Sequence, residues 1–251
     1  MIVKTFTLDA MLANTYLVCD RPGGHGVLVD AGAPPEPILD EIARLGISLT
    51  HVLLTHHHWD HSQHAEVYRH LLGASVCCHE RELPFFPAPE QLDQTLADGS
   101  RFASGKLAIH ALHVPGHTAG QLAFLIDEEA VFTGDTLFRH GVGGTMAVGH
   151  TTVTDLRQSV VNVLLALPAR VAVYPGHAGS STVAEEWEHN AFARAWSGRD
   201  PVLPGHCRAF ARPATLFVRG EDYDGGTKCW VRFDDDGTEA VVAGSKVVEA
   251  R

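Results

Sequence analysis

Four ionisable side chains crowd into the six residues His56-x-His58-x-Asp60-His61, directly after the short apolar run His51-Val52-Leu53-Leu54. At the end of a strand, residues two apart point to one side, so His56 and His58 can converge on one ion. The turn beyond lets Asp60 and His61 face a second ion beside the first. Neutral imidazole and carboxylate suit a borderline cation such as Zn²⁺. Packed together without a cation, four such groups repel or desolvate one another.

Three later segments share one grammar, a short strand ending in a glycine turn that carries a single ligand type. They are Pro115-Gly116-His117-Thr118, Thr133-Gly134-Asp135-Thr136 and Pro175-Gly176-His177. Glycine lets the backbone turn sharply and an ion or substrate approach closely. A lone histidine in such a turn is ordinarily a surface residue, and a lone aspartate after glycine is ordinarily a turn or cap. Four strand ends that all supply His or Asp imply one pocket, because strand ends on one edge of a sheet are where an α/β site gathers.

Positioning these groups requires strands with short turns. Strands are expected at Ile2–Leu8 running on through Tyr16–Cys19, at Val27–Asp30 after a turn at 21–24, at His51–Leu54 and at Ala74–Cys78. Others are expected at Leu107–Leu112, Leu122–Ile126, Ala130–Thr133 and Arg170–Tyr174. Helical spacing marks Pro35–Leu45 with Gly46 as its stop, a helix capped by Ser62 and carrying Val67, Leu71 and Leu72, then Thr152–Leu167 and Glu185–Trp196. Residues 84–104 read as a Pro-rich surface segment or active-site flap. After Pro201 the pattern turns β-rich and barrel-like, with strands at Thr215–Val218, Cys229–Phe233 and Ala240–Val242. The division expected is a main domain over 1–200 and a C-terminal extension over 201–251 packed on it.

The 251 residues are 45% hydrophobic and 20% charged, a profile with ample apolar surface for a large core. No apolar run reaches the roughly 18 residues of a membrane span, and the first residues alternate like a strand rather than a signal peptide. A net charge of −11 argues against nucleic acid as a partner. Five cysteines without a CxxC read as buried apolar residues, and the cytoplasm is the expected location. Seventeen histidines are many for a chain of this length, and they are not scattered at random: seven fall in the segments above.

Those segments resemble the metallo-β-lactamase superfamily, and within it the glyoxalase II (hydroxyacylglutathione hydrolase) branch. The likeness lies in Thr55-His56-His57-His58-Trp59-Asp60-His61, Pro115-Gly116-His117-Thr118, Thr133-Gly134-Asp135-Thr136-Leu137-Phe138 and Pro175-Gly176-His177, and covers about residues 1–200. It implies a four-layer αββα sandwich with a binuclear metal site on one edge. His56, His58 and His117 would hold one metal, Asp60, His61 and His177 the other, and Asp135 would bridge them. Two Zn²⁺ are the implied cofactors, with iron or manganese as substitutes. In that branch Thr-Gly-Asp-Thr-Leu-Phe leads into Gly-Cys-Gly-Arg, whereas here Arg139-His140 leads into Gly141-Val142-Gly143-Gly144. The branch also ends in a basic helical segment that grips glutathione, where this tail is β-rich. The stretch from Gly141 onward looks more like a bacterial subgroup of glyoxalase II-like hydrolases, for which another small thiol such as mycothiol is a reasonable carrier.

The expected reaction is hydrolysis of a small-molecule acyl thioester by a metal-bridged hydroxide, with Asp60 both ligating a metal and orienting the hydroxide. A thiolate, of conjugate-acid pKa about 8.5, leaves without a proton donor. No motif marks a general acid; His57 and His140 read as neighbours of the site or surface residues. Arg139 reads as a surface ion pair or a carboxylate anchor, Tyr16 as a core tyrosine and Trp59 as packing beneath the metal loop. The rivals are a mononuclear iron persulfide dioxygenase using His56, His117 and Asp135, and a lactonase. A nuclease fits the charge poorly. A purely structural metal site would be closed and Cys-rich, unlike this set. Because the ligands must be neutral imidazoles, activity should fall below about pH 6; a pH–rate profile that stays flat to pH 5 contradicts this set of ligands.

Overall fold

Alternation of side chains along the strands decides how the layers stack. Leu17 faces one side of its strand and Val18 the other, and both are fully buried, so the sheet that holds them is covered on both faces. The computed structural model describes residues 1–88 and 92–249. Its first sheet runs in the order Ile2–Leu8, Ala13–Cys19, His25–Val29, Ser48–Leu53, Ser75–Cys78 and Gln94–Thr95. The first three strands are antiparallel and the pairs from His25–Val29 onward are parallel. The second sheet runs Ser181–Thr182, Ala172–Pro175, Ala130–Gly134, Leu122–Ile126, Leu107–His113 and Arg101–Ser104.

Helices Pro35–Leu45 and Ala65–Leu72 cover the outer face of the first sheet, Ile38, Ile42 and Tyr68 packing on Leu17, Leu28, Val52 and Val76. Between the sheets, Val18, Val27 and Leu53 meet Ile109, Phe124 and Phe132. Helical segments within 153–196 close the outer face of the second sheet through Leu156, Val160, Leu164 and Phe192. The result is the αββα sandwich expected from the sequence. Among the described residues no helix is long and apolar enough to cross a membrane.

Several elements differ from the sequence expectation for definable reasons. The first thirty residues form three strands, not two, because the chain reverses at residues 9–12 with Leu12 in the left-handed region (φ 56°). Ser62 ends a short helix, Trp59–Ser62, instead of capping the next one; its hydroxyl donates to the carbonyls of His57 and His58. The following helix buries Ala65 and Tyr68 and leaves Leu71 and Leu72 exposed. The helix expected over 152–167 opens after Gln158 into a wider turn, Ser159–Leu164, in which Leu165 N–H reaches back to Val160.

The helix expected over 185–196 is two helices, Val183–His189 and Ala191–Trp196, broken at Asn190. Asn190 Oδ1 accepts from the N–H groups of Phe192 and Ala193, while its amide donates to Gly141 O and Glu186. A side chain that satisfies four groups off the helix axis outweighs one more turn of helix. Residues 84–104 include part of a tight helical turn, Glu80–Phe85, and the edge strands Gln94–Thr95 and Arg101–Ser104; residues 89–91 of the expected flap lie outside the described residues.

After residue 204 the chain forms an open five-stranded antiparallel sheet instead of a barrel, in the order Glu239–Ala243, Thr227–Phe233, Arg212–Glu221, Gly205–Ala209, Val247–Glu249. It has its own apolar cluster around Phe233 and Val231, and Val241 joins the outer core of the second sheet. Thr145 N–H donates to Val241 O at 3.0 Å and Thr145 Oγ1 accepts from Val241 N–H at 2.9 Å, which locks that sheet to the loop beyond Asp135. All five cysteines are free and buried.

Asn190→Ala should cost about 2 kcal/mol, from a lost cap and the loss of a buried donor to Gly141 O and Glu186. Urea unfolding measures this; a change under about 0.5 kcal/mol would mean the break at Asn190 owes nothing to its side chain.

Candidate metal centre

Five loops meet at one edge of the sandwich, and each leaves the carboxyl end of a strand. Asp30 follows His25–Val29, residues 55–61 follow Ser48–Leu53, His117 follows Leu107–His113, Asp135 follows Ala130–Gly134, and His177 follows Ala172–Pro175. In the second sheet Ala130–Gly134 and Ala172–Pro175 pair in parallel, and two antiparallel steps give Leu107–His113 the same direction. Strand direction therefore brings residues distant in sequence to one place.

All seven residues singled out from the sequence converge there. His56, His58 and His117 form one group, Asp60, His61 and His177 another, and Asp135 lies with His56 and His61 between them; within each group the candidate ligand atoms lie within 4.8 Å of one another. Asp135 is 3.4 Å from His61 Nε2 and 3.2 Å from His177 Nε2 on one side, and 3.5 Å from His117 Nε2 on the other. Asp60 Oδ2 lies 3.5 Å from His61 Nε2 and 3.8 Å from His177 Nε2. His58 is half-buried and the other six are buried.

The hydrogen bonds on the outer side of each ring decide what faces inward. His117 Nδ1 donates to Gly144 O at 2.8 Å, His177 Nδ1 to Met11 O at 3.0 Å, and His58 Nε2 to Val148 O at 3.1 Å. A carbonyl can only accept, so in each neutral ring the other nitrogen presents a lone pair. Thr55 Oγ1 donates to Asp30 Oδ2 and accepts from His56 Nδ1 at 3.0 Å, with the same consequence for His56. His58 Nδ1 then stands 3.0 Å from both His56 Nε2 and His117 Nε2, three lone pairs pointed at one another. Asp135 Oδ1 is buried without a hydrogen-bond partner. Converging imidazole lone pairs and an orphaned carboxylate oxygen are a donor set that a cation completes.

Charge follows the same division. Burial pushes the His56 imidazole well below the ordinary histidine range and that of His117 down to about 4, which keeps both neutral. For His61, burial opposes the charge but Asp135, Asp30 and Asp60 outweigh it and hold the imidazolium up to about 9. Burial would raise the Asp135 carboxyl; the histidines at 177 and 61 instead hold it well below the carboxylate range.

Close approach is built into the backbone. A Cβ on Gly176 would stand 2.2 Å from Asp135 Oδ1, and one on Gly32 would stand 1.5 Å from Asp60 O. Neither contact is tolerable. Tyr16 is buried as expected, and its hydroxyl donates to Pro175 O at 2.7 Å while accepting from Asn14 Nδ2, so it anchors the loop of His177. Trp59 does not pack beneath the metal loop: it starts a helix pointing outward and is 53% exposed. Arg139 pairs with Glu185 at the surface, and His140 pairs with the same carboxylate.

Other groups at the centre escaped sequence reasoning. Asp30 Oδ2 accepts from His61 Nδ1 at 2.9 Å and its Oδ1 from Thr55 N–H at 2.8 Å, so one carboxylate orients two of the histidines. A charged residue ending the apolar run 27–29 was the available signal; in the structure it sits in the left-handed region at φ 59°. Fully buried Glu82 accepts from His57 N–H, from Gly120 N–H and from the His57 ring. Tyr223, at the tip of a hairpin in the C-terminal sheet, stacks on His177 with ring centroids 4.2 Å apart. Nothing local in the sequence marks it.

A family model described as the metallo-beta-lactamase superfamily matches residues 8–177. The chain belongs to this superfamily. An uncharacterized protein of Mycobacterium leprae is 33% identical over 218 residues, 76% of this chain and 98% of that one. The probable polyketide biosynthesis zinc-dependent hydrolase BaeB of Bacillus velezensis is 31% identical over 187 residues, 74% of this chain and 81% of its own. A hydroxyacylglutathione hydrolase of Rhizobium etli is 34% identical over 181 residues, 70% and 67% of the two chains. Among solved structures, ETHE1 from Myxococcus xanthus matches with a TM-score of 0.68 at 29% identity, over 77% of this chain and 85% of that one. A protein solved in a di-iron-bound form matches at 0.66 and 31% identity, over 76% and 100%. Within the metallo-β-lactamase fold, the match ends at His177, so Tyr223 belongs to a part of the chain outside it.

Asp30→Ala should weaken Zn²⁺ binding by about 10- to 100-fold, the usual loss when a group orienting metal-binding histidines is removed. Competition with a chromogenic chelator reads this directly, and an unchanged affinity would detach Asp30 from the centre.

Proposed function

We propose that the protein is a metal-dependent hydrolase of small acyl thioesters, glyoxalase II-like in its chemistry, with a carrier thiol other than glutathione admitted. The observation that carries the reading is the pair of His/Asp groups flanking one aspartate, with lone pairs turned inward. His56, His58 and His117 would hold one cation, Asp60, His61 and His177 a second, and Asp135 both. Two Zn²⁺ so held, with iron or manganese as substitutes, would lower the pKa of a shared water to about 7 and polarise an acyl carbonyl.

The chain's own residues then have separable tasks. Asp60 reaches toward His61 and His177 with a single oxygen, and its carboxylate is placed to accept a hydrogen bond from the attacking water and fix its direction. Asp30 and Thr55 hold the Nδ1 atoms of His61 and His56 so that the Nε2 of each faces the centre, where His61 would give up its second proton to a bound cation. In the reaction a C–O bond forms from water to the acyl carbon, the C–S bond breaks, and the sulfur leaves as thiolate and takes up a proton from solvent. A thiolate needs no proton donor to leave, which suits a centre whose histidines are engaged elsewhere.

Relatives named as a zinc-dependent hydrolase and a hydroxyacylglutathione hydrolase support this reading. A one-iron dioxygenase on His56, His117 and Asp135 would leave Asp60, His61 and His177 grouped without a task. The test measures metal content and, on the same sample, thiol release from thioesters that differ in their thiol. About two metals per chain with thiol release, and a loss of at least 100-fold in Asp135→Ala, are expected. One iron per chain with oxygen uptake would overturn the proposal.

A further inference from the structure

Beside the centre lies a second feature that the hydrolytic reading leaves unused. A cavity of about 560 Å³ opens next to His58, which is one of its walls. Leu54, Ala65, Val76, Phe86 and Leu92 line it, and its apolar lining continues to the surface. Three of its lining side chains are large apolar groups left exposed, Trp59 at 53%, Phe85 at 40% and Val148 at 69%. An apolar cavity with an exposed apolar mouth, one imidazole away from the reacting centre, is built for a ligand.

Its polar groups narrow the choice. His57 lines the cavity with its Nδ1 engaged by Glu82, its ring stacked on Phe85 and its Nε2 buried out of reach of an occupant. Glu66, another lining residue, is already paired through Oε1 with His70 and Arg69. Neither group offers a cation to an anionic carrier thiol and the walls are apolar, so the thiol belongs on the solvent side and the acyl group inside. A two- or three-carbon acyl group would leave most of this volume empty.

We propose that this cavity is the acyl pocket of the centre and takes a medium-length apolar acyl chain. The proposal rests on the thioesterase reading above but is tested separately from it.

The experiment uses zinc-loaded protein and N-acetylcysteamine thioesters of butyryl, hexanoyl and octanoyl groups. Burying a methylene is worth about fourfold, so kcat/KM should climb by up to about fourfold per added carbon. Ala65→Leu, which narrows the cavity, should remove the gain of octanoyl over butyryl; Phe86→Ala, which widens it, should move the optimum to longer chains. In parallel, 1-octanol should shift the emission of Trp59, and Trp59→Phe should abolish that shift. Butyryl cleavage with no dependence on chain length, and no octanol shift, would overturn the pocket and leave the thioesterase reading standing. An octanol shift in a zinc-loaded protein that cleaves no thioester would support the pocket and overturn the thioesterase reading.

Discussion

Lone pairs aimed at one another are what the rest of this molecule is arranged around. A histidine left to itself turns its ring until both nitrogens find partners. Here the outer nitrogens are held by Gly144 O, Met11 O, Val148 O, Thr55 and Asp30, so the inner ones cannot turn away. The anchors come from four segments, Gly144 and Val148 sharing one loop, and the repulsion at the centre is tolerable only because those segments are tied into two covered sheets. Several kcal/mol are at stake for every buried group of this kind that lacks a compensating charge.

The sandwich supplies that rigidity in a specific way. Parallel register between Ala130–Gly134 and Ala172–Pro175 puts Asp135 and His177 on neighbouring strand ends, and the Gly176 backbone passes against the Asp135 carboxylate where no side chain would fit. Met11 and Tyr16, from the edge of the other sheet, hold the His177 loop from behind. The centre is thus clamped between sheets, which is why its ligand atoms can be drawn together in advance of any ligand.

Glu82 connects the metal loop to the cavity beside it. Buried among apolar neighbours, a lone carboxylate would be costly, and burial by itself would raise its pKa; bonding to His57 reverses that and keeps it ionised. The same bonds fix the His57 ring against Phe85 at the wall of the cavity. One buried acid therefore steadies the loop that carries His56 and His58 and shapes the surface next to it. On the opposite side, Tyr223 covers His177 and Lys228 lies over the rings of Phe138 and Tyr223, so the C-terminal sheet contributes to the wall of the centre as well as to the core.

Ligand chemistry was local enough to be legible in the sequence. His56, His58, Asp60 and His61 sit on one turn, and the three glycine turns carry their ligand type beside a strand, so residue type and spacing singled out seven groups, and the resemblance they carry implied the layered fold that unites them. The strands were legible for the same reason, since alternation is a property of neighbours. What the sequence could not disclose depends on contacts between distant segments. Asp30 becomes an orienting group only because two parallel strands end side by side, and Trp59 turned outward because Asp60 and His61 claim the inner face of its helical turn. Asn190 broke a helix to satisfy groups on another loop. The placement of Tyr223 and the cavity beside His58 arose only when separate layers closed on one another, because packing and enclosed space are properties of the folded whole.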